Sequence, residues 1–173
     1  RRKAKEVNFG IMYGIGPFGL STRLDITQSE AKEIIAKYFE RFPNVKVYIS
    51  STIAKAKEDG FVSTMLGRRR YLPDLRSGNF AVRSNAERQA INMPIQGTAA
   101  DMIKLAMIRV HNRFMKEKID GEMLLQVHDE LIFEVPEDEL NVRDLIRDRM
   151  QNVVQLRVPL TVDVKQGRTW EDL

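Results

Sequence analysis

The chain has no cysteine, so neither a disulfide framework nor a thiolate metal site is available to it. Its two histidines, His111 and His128, are too few for a histidine-rich zinc centre. No apolar run approaches the roughly 20 residues that a membrane-spanning helix needs, and no signal-peptide pattern opens the sequence. These absences lead to the expectation of a soluble, cytoplasmic protein with no membrane partner.

At 173 residues and 20.0 kDa the chain can bury a real core as one domain or two small ones. It begins Arg1-Arg2 inside what reads as a helix, and is expected to be a piece of a longer protein. The net charge of +4 is unevenly spread. Residues 1–100 hold 17 Lys/Arg against 9 Asp/Glu, and residues 101–173 hold 11 against 15. A basic first part suits a polyanion, and an acidic second part can offer carboxylates to metal ions.

The stretch LLQVHDELIFEV is the centre of the sequence. Met123, Leu125 and Val127 alternate with Leu124 and Gln126, and Leu131, Phe133 and Val135 with Ile132 and Glu134. Period two predicts a hairpin whose bend carries His128, Asp129 and Glu130. Two readings are open for that bend: a polar turn, which favours Asp, or a seat for an oxygen-preferring ion such as magnesium beside substrate phosphates.

In RRKAKEVNFGIMYG, Arg1, Lys5 and Phe9 recur at spacing four, with Tyr13 drifting around from them. Two cations followed by aromatics can grip a triphosphate and lie against a sugar or base, or form the exposed face of an amphipathic helix. Gly14 to Pro17 should end that helix. Thr27 and Glu30 make a capping box, Pro43 stops the helix that follows, and another should run from about Asn44 to Glu58 with Gly60 as its stop. Residues 61–71 read as a small hairpin whose bend carries Gly67, Arg68, Arg69 and Arg70, either as phosphate contacts or as a solvated turn.

Pro73 to Asn79 is the expected boundary between two parts, 1–79 and 80–173. A helix should resume near Phe80 and be disturbed at Pro94, and a second, central and buried helix should open at Thr98 and Asp101. Arg88, Asn92 and Gln96 sit at its approach, suited to minor-groove contacts or to capping. Pro136 should lead into a helix with Glu137, Asp138 and Glu139 in its first turn and Val142, Leu145, Ile146, Met150 and Val153 inward. Leu160, Val162 and Val164 alternate as a final strand. This order predicts an α+β fold with a small antiparallel sheet packed on helices.

The opening segment, TMLGRRRYLPDL, ERQAINMPIQGTAADMIKLAM and LLQVHDELIFEV together resemble, in order, motifs of the bacterial family A DNA polymerases of the DNA polymerase I type. The resemblance covers essentially the whole chain. It implies a helical fingers portion (1–79) followed by a palm portion (80–173), with primer-template DNA and deoxynucleoside triphosphates as partners. It also implies template-directed nucleotidyl transfer from the triphosphate to a primer 3′-hydroxyl, in replication or repair, and two magnesium ions in the complete site.

Carried over by residue, the resemblance implies that Arg1 and Lys5 bind the triphosphate and that Lys5 protonates the leaving pyrophosphate. Phe9 would lie by the deoxyribose and Tyr13 where the template base enters. Arg88, Asn92 and Gln96 would touch primer and template, Arg68 and Arg69 would contact DNA, and His128 would lie near the primer end. Asp129 would be the metal ligand, with Glu130 supporting it; successive strand residues point to opposite faces, so the two are not expected to ligate one ion equally. The family's other palm aspartate precedes the fingers helix, in an N-terminal remainder that this chain does not include. The chain alone is therefore expected to bind DNA weakly and not extend a primer. Two alternatives stand beside this: a non-enzymatic DNA-binding fragment, and a single-subunit phage-type RNA polymerase, in which Ser typically follows His-Asp where this chain has Glu130.

Overall fold

Residues 2–137, 139 and 141–172 are described in the computed structural model of the chain. Arg1 and Asp138, both singled out from sequence, lie outside them. Local punctuation sets the first four helices. α1 (Arg2–Met12) ends just before Gly14, which takes a φ of 76°. α2 (Pro17–Leu24) places proline where a helix has no use for its missing N–H. α3 (Gln28–Arg41) opens on the expected capping box: the Glu30 N–H donates to the Thr27 hydroxyl at 3.2 Å, and the Thr27 N–H to the Glu30 carboxylate at 2.8 Å. Pro43 ends α3 and occupies the first position of α4 (Pro43–Asp59), which Gly60 closes in the left-handed conformation.

Strands β1 (Phe61–Ser63) and β2 (Arg69–Tyr71) pair antiparallel, Phe61 opposite Tyr71 and Ser63 opposite Arg69. Arg69 and Arg70 thus lie on a strand, not on the bend. A short helical turn, Pro73–Arg76, leads towards α5 (Phe80–Glu117), a single helix of 38 residues. This corrects the expectation of two helices separated at Pro94. A proline inside a helix forfeits one backbone bond and costs about 3 kcal/mol. Burial on both sides of it offsets that: Ala86, Ala90, Ile91 and Met93 before it, and Ala106, Val110 and Phe114 after it, are all buried.

The chain divides into two compact units, Arg1–Thr98 and Ala99–Leu173. In the first, Leu20, Leu24 and Ala31 form one buried cluster, and Ala56, Val62, Leu72, Leu75, Ala86, Ala90 and Met93 another. The core of the second joins Val110 and Phe114 of α5 to Val142 and Ile146, with Met123 and Phe133 packed against them.

In the second unit β3 (Glu122–Val127) pairs antiparallel with β4 (Glu130–Glu134). A bulge leaves Leu124 without a cross-strand partner: Met123 lies opposite Phe133, but Leu125 lies opposite Ile132. Strict alternation put Met123, Leu125 and Val127 on one face, and the extra residue shifts that pattern. α6 (Val142–Gln151) buries Val142 and Ile146, half-buries Leu145 and Met150, and is followed by the buried Val153.

Three expectations for this unit are corrected. α6 begins at Val142 and not after Pro136, because turn bonds from Glu139 N–H to the Pro136 carbonyl and from Val142 N–H to the Glu139 carbonyl occupy the intervening residues. Leu160, Val162 and Val164 are half-buried while Thr161 and Asp163 are exposed, yet no strand forms there among the described residues. Period two reports sidedness, and a strand also needs a neighbour to bond. Finally, α5 is not buried all round, since the hairpin and α6 cover only one of its faces and Ile108 and Met115 stay exposed.

The α+β reading with small antiparallel sheets holds, as six helices and two two-stranded sheets among the described residues. No described helix is long and apolar enough to cross a membrane. The capping box supplies a first prediction. Thr27→Ala should lower stability by about 1 kcal/mol, seen as a reduced urea midpoint at unchanged slope. The Thr27 backbone and hydroxyl bonds hold the Glu30 carboxyl below its ordinary value. The contribution is therefore present above that ordinary value and fades as pH falls through the lowered one, so the gap between wild type and variant should narrow in acid.

Candidate nucleic-acid interface

In the first unit, α1 turns Ile11 into the core and leaves Lys5 and Phe9 exposed. The Lys5 Nζ lies 5.8 Å from the centre of the Phe9 ring. The Phe9 ring in turn stacks on Tyr13, 6.2 Å between centroids and 23° between planes. Residues four apart on a helix are neighbours, so the spacing read from sequence becomes a physical row of cation, ring and ring. Phe9 is 44% exposed, which no core aromatic is. The row offers a charge for phosphate and two faces for a sugar or base. α1 is fixed to α3 by the Tyr38 hydroxyl, which donates to Asn8 Oδ1 at 2.9 Å.

Beyond Tyr13, the absence of a side chain at Gly14 lets the chain approach α5. A Cβ there would meet Ile91 Cδ1 at 3.0 Å and Arg88 Cγ at 3.4 Å. Arg88 donates to the Ser84 hydroxyl at 3.1 Å and to Asn85 Oδ1 at 3.4 Å, and stays exposed. Asn92 is half-buried, and its Oδ1 is buried without a hydrogen-bond partner among the described residues. Gln96 is exposed one turn further on. Thus Tyr13, Arg88 and Asn92 belong to one neighbourhood through Gly14, as their separate motifs could not show.

The three arginines of the small hairpin are exposed but already engaged. Arg68 donates to the Gly97 carbonyl at 3.0 Å, Arg69 lies 4.5 Å over the Phe61 ring, and Arg70 donates to Gln89 Oε1 at 2.8 Å. Each guanidinium has five N–H donors, so each retains capacity for an anion. Sequence reasoning overlooked Tyr48 of α4, whose hydroxyl donates to the Ile91 carbonyl at 3.1 Å. Burial pushes its phenol above the ordinary value, a hydrogen bond with Thr52 acting the other way.

In the second unit His128 and Asp129 form a two-residue turn, with Val127 paired to Glu130 across it. His128 takes a φ of 56°, a region where His is one of the few tolerated non-glycine residues. Gln126 Nε2 donates to the His128 carbonyl at 3.0 Å. The carboxylates of Asp129 and Glu130 are exposed and have neither hydrogen bond nor ion pair among the described residues. Because Asp129 is in the turn and only Glu130 is on a strand, alternation does not set them on opposite faces. No group of three His, Asp or Glu able to hold a metal exists among the described residues. Two free carboxylates suit a hard cation shared with phosphate oxygens, not an all-protein cage.

The profile of DNA polymerase family A matches residues 1–172. The chain belongs to DNA polymerase family A. It is 53% identical over 173 residues to DNA polymerase I of Bacillus caldotenax and 49% identical over 171 residues to that of Streptococcus pneumoniae, covering 99% and 98% of this chain. In both cases it spans 20% of the relative's length. The solved POL domain of Pol1 from M. smegmatis, in complex with DNA primer-template and dNTP, superposes with a TM-score of 0.95 at 46% identity. That match covers 99% of this chain and 30% of the other. The family A resemblance carried by the four motifs is thereby established.

Gly97 gives this family A chain a second prediction. Alanine in place of a helical glycine gains up to about 1 kcal/mol, but a Cβ at Gly97 would stand 2.7 Å from Cγ2 of the buried, β-branched Thr64. Overpacking costs roughly 1–3 kcal/mol and wins. Gly97→Ala should lower the thermal midpoint of the chain, measured by circular dichroism.

Proposed function

We propose that the chain is the fingers (1–79) and palm (80–173) part of a cytoplasmic, template-directed DNA polymerase. That enzyme joins a deoxynucleoside triphosphate to a primer 3′-hydroxyl. The observation that carries this is the row of exposed Lys5, exposed Phe9 and half-buried Tyr13 in a chain that matches family A over residues 1–172. Glu130, where single-subunit phage-type RNA polymerases have Ser, favours DNA synthesis over RNA synthesis.

The primer hydroxyl attacks the α-phosphate and pyrophosphate leaves. Lys5, with Arg1 as its companion on the motif, offsets the charge that gathers on the leaving phosphates, and Lys5 gives them a proton. Phe9 bears on the deoxyribose and Tyr13 meets the incoming template base. Arg88, Asn92 and Gln96 contact the minor-groove acceptors that all base pairs share, while Arg68 and Arg69 contact backbone phosphates. His128 lies by the primer end.

Asp129 would hold the divalent ion, for which magnesium is the proposed species, and Glu130 would support it. Oxygen donors without an intramolecular partner among the described residues fit that role. When bound, a pair of such ions supplies Lewis-acid stabilisation of the attacking and leaving oxygens. For the chain alone, the lack of a third acidic ligand among the described residues favours a second reading, a DNA-binding fragment that does not catalyse.

In the full-length enzyme, Asp129→Asn keeps shape and removes charge. It should cut primer extension by orders of magnitude while leaving DNA affinity nearly unchanged. Near-normal turnover by Asp129→Asn would make the bend an ordinary polar turn. Phe9→Tyr tests the sugar contact. A phenolic oxygen beside the 3′ position of a dideoxynucleotide adds one hydrogen bond of about 1 kcal/mol, or up to 3 with a charged partner, a factor of roughly five to a hundred in selection. Competition between dideoxy- and deoxynucleotides should show discrimination largely abolished in the variant, and an unchanged ratio would place Phe9 away from the sugar.

A further inference from the structure

Around Pro94, side-chain donors reach three carbonyls of α5 spaced three residues apart. The Tyr48 hydroxyl donates to Ile91, the Thr98 hydroxyl to Pro94, and the Arg68 guanidinium to Gly97. Thr98 Oγ1 also accepts from the Met65 N–H at 2.9 Å, so the loop between β1 and β2 is bonded to the helix as well as its arginine. Thr64, beside Met65, is buried and its hydroxyl accepts from the Arg68 N–H at 3.1 Å, which ties both ends of that loop together. Proline loosens a helix where it interrupts the ladder. Here every carbonyl so bonded lies within three residues of it, and the donors come from α4, from the hairpin loop and from α5 itself.

The bonded carbonyls flank two side chains already given a role. Ile91 immediately precedes Asn92, and Gly97 immediately follows Gln96. We propose that Tyr48 and Thr98 are positioning residues that hold the Pro94 segment so that Asn92 and Gln96 meet the minor groove. This rests on the minor-groove reading above and deepens it. Neither Tyr48 nor Thr98 needs to touch DNA. Each fixes backbone next to a residue that does, and a rigid backbone spares the ordering that would otherwise weaken each contact.

The test uses the full-length polymerase with Tyr48→Phe, which keeps the ring and removes only the hydroxyl, and Thr98→Val as an independent second variant. Binding of each to a primer-template is compared with binding to the same DNA carrying 3-deazapurines near the primer end, which lack the N3 acceptor of the minor groove. Both variants should bind unmodified DNA roughly fivefold more weakly, the factor for one hydrogen bond of about 1 kcal/mol. The penalty for 3-deazapurine should shrink in them, because the two losses share one contact and are not additive. Amide hydrogen exchange across residues 91–98 should quicken in both. A 3-deazapurine penalty of full size in both variants, or unchanged affinity in both while Asn92→Ala and Gln96→Ala weaken it, would overturn the positioning role alone. Normal binding by Asn92→Ala and Gln96→Ala would overturn the minor-groove reading and the positioning role with it.

Discussion

A proline in the interior of a 38-residue helix is the constraint on which much of this structure turns. Without its N–H, Pro94 cannot close the ladder bond to Ala90, and a helix left to itself would break or kink there. α5 does not break. It supplies buried side chains to both compact units, Ala86, Ala90 and Met93 to a cluster in the first and Val110 and Phe114 to the core of the second. Helical continuity past Pro94 is therefore tied to two sets of buried contacts, and the carbonyls around it are met by donors from Tyr48, Arg68 and Thr98.

That arrangement bears on chemistry because the same segment carries Arg88, Asn92 and Gln96, and because Gly14 brings the end of α1 against Arg88 and Ile91. A polymerase that must accept every sequence needs contacts to groups all base pairs share. Such contacts discriminate by position, not by identity, so the backbone under them must be held. Structural donors close to the proposed contact residues are what that requirement predicts. The charge distribution agrees: the cations concentrate in residues 1–100 and the acidic excess in residues 101–173, where the hairpin turn presents Asp129 and Glu130.

Legibility in the sequence followed the range of the forces involved. The capping box at Thr27, the stop at Gly60 and the row from Lys5 to Tyr13 depend on residues a few positions apart, and they were readable. The hairpin at His128 was readable too, but the bulge at Leu124 was not, since register depends on the partner strand. The break expected at Pro94 failed for a related reason: the donors that support the helix there come from Tyr48 and Arg68, far away in sequence. Leu160 to Val164 kept its alternation of burial and forms no strand pairing among the described residues. The arginines of the small hairpin were legible as a cluster, whereas their engagement with Gly97, Phe61 and Gln89 was not. As for the site, the residue types could be named from motifs, but that Tyr13 shares a neighbourhood with Arg88 required the fold.

Whether particular side chains of this chain face primer-template DNA is tested most directly by a residue-resolved NMR titration of the isotopically labelled chain with a short primer-template at several salt concentrations. Binding should be weak, with shift changes concentrated at residues 5–13, 68–70, 88–96 and 128–130. Affinity should fall as salt rises, with a slope of roughly −0.9 for each phosphate contact on duplex DNA. Shift changes confined to other surfaces, or binding indifferent to salt, would contradict that placement.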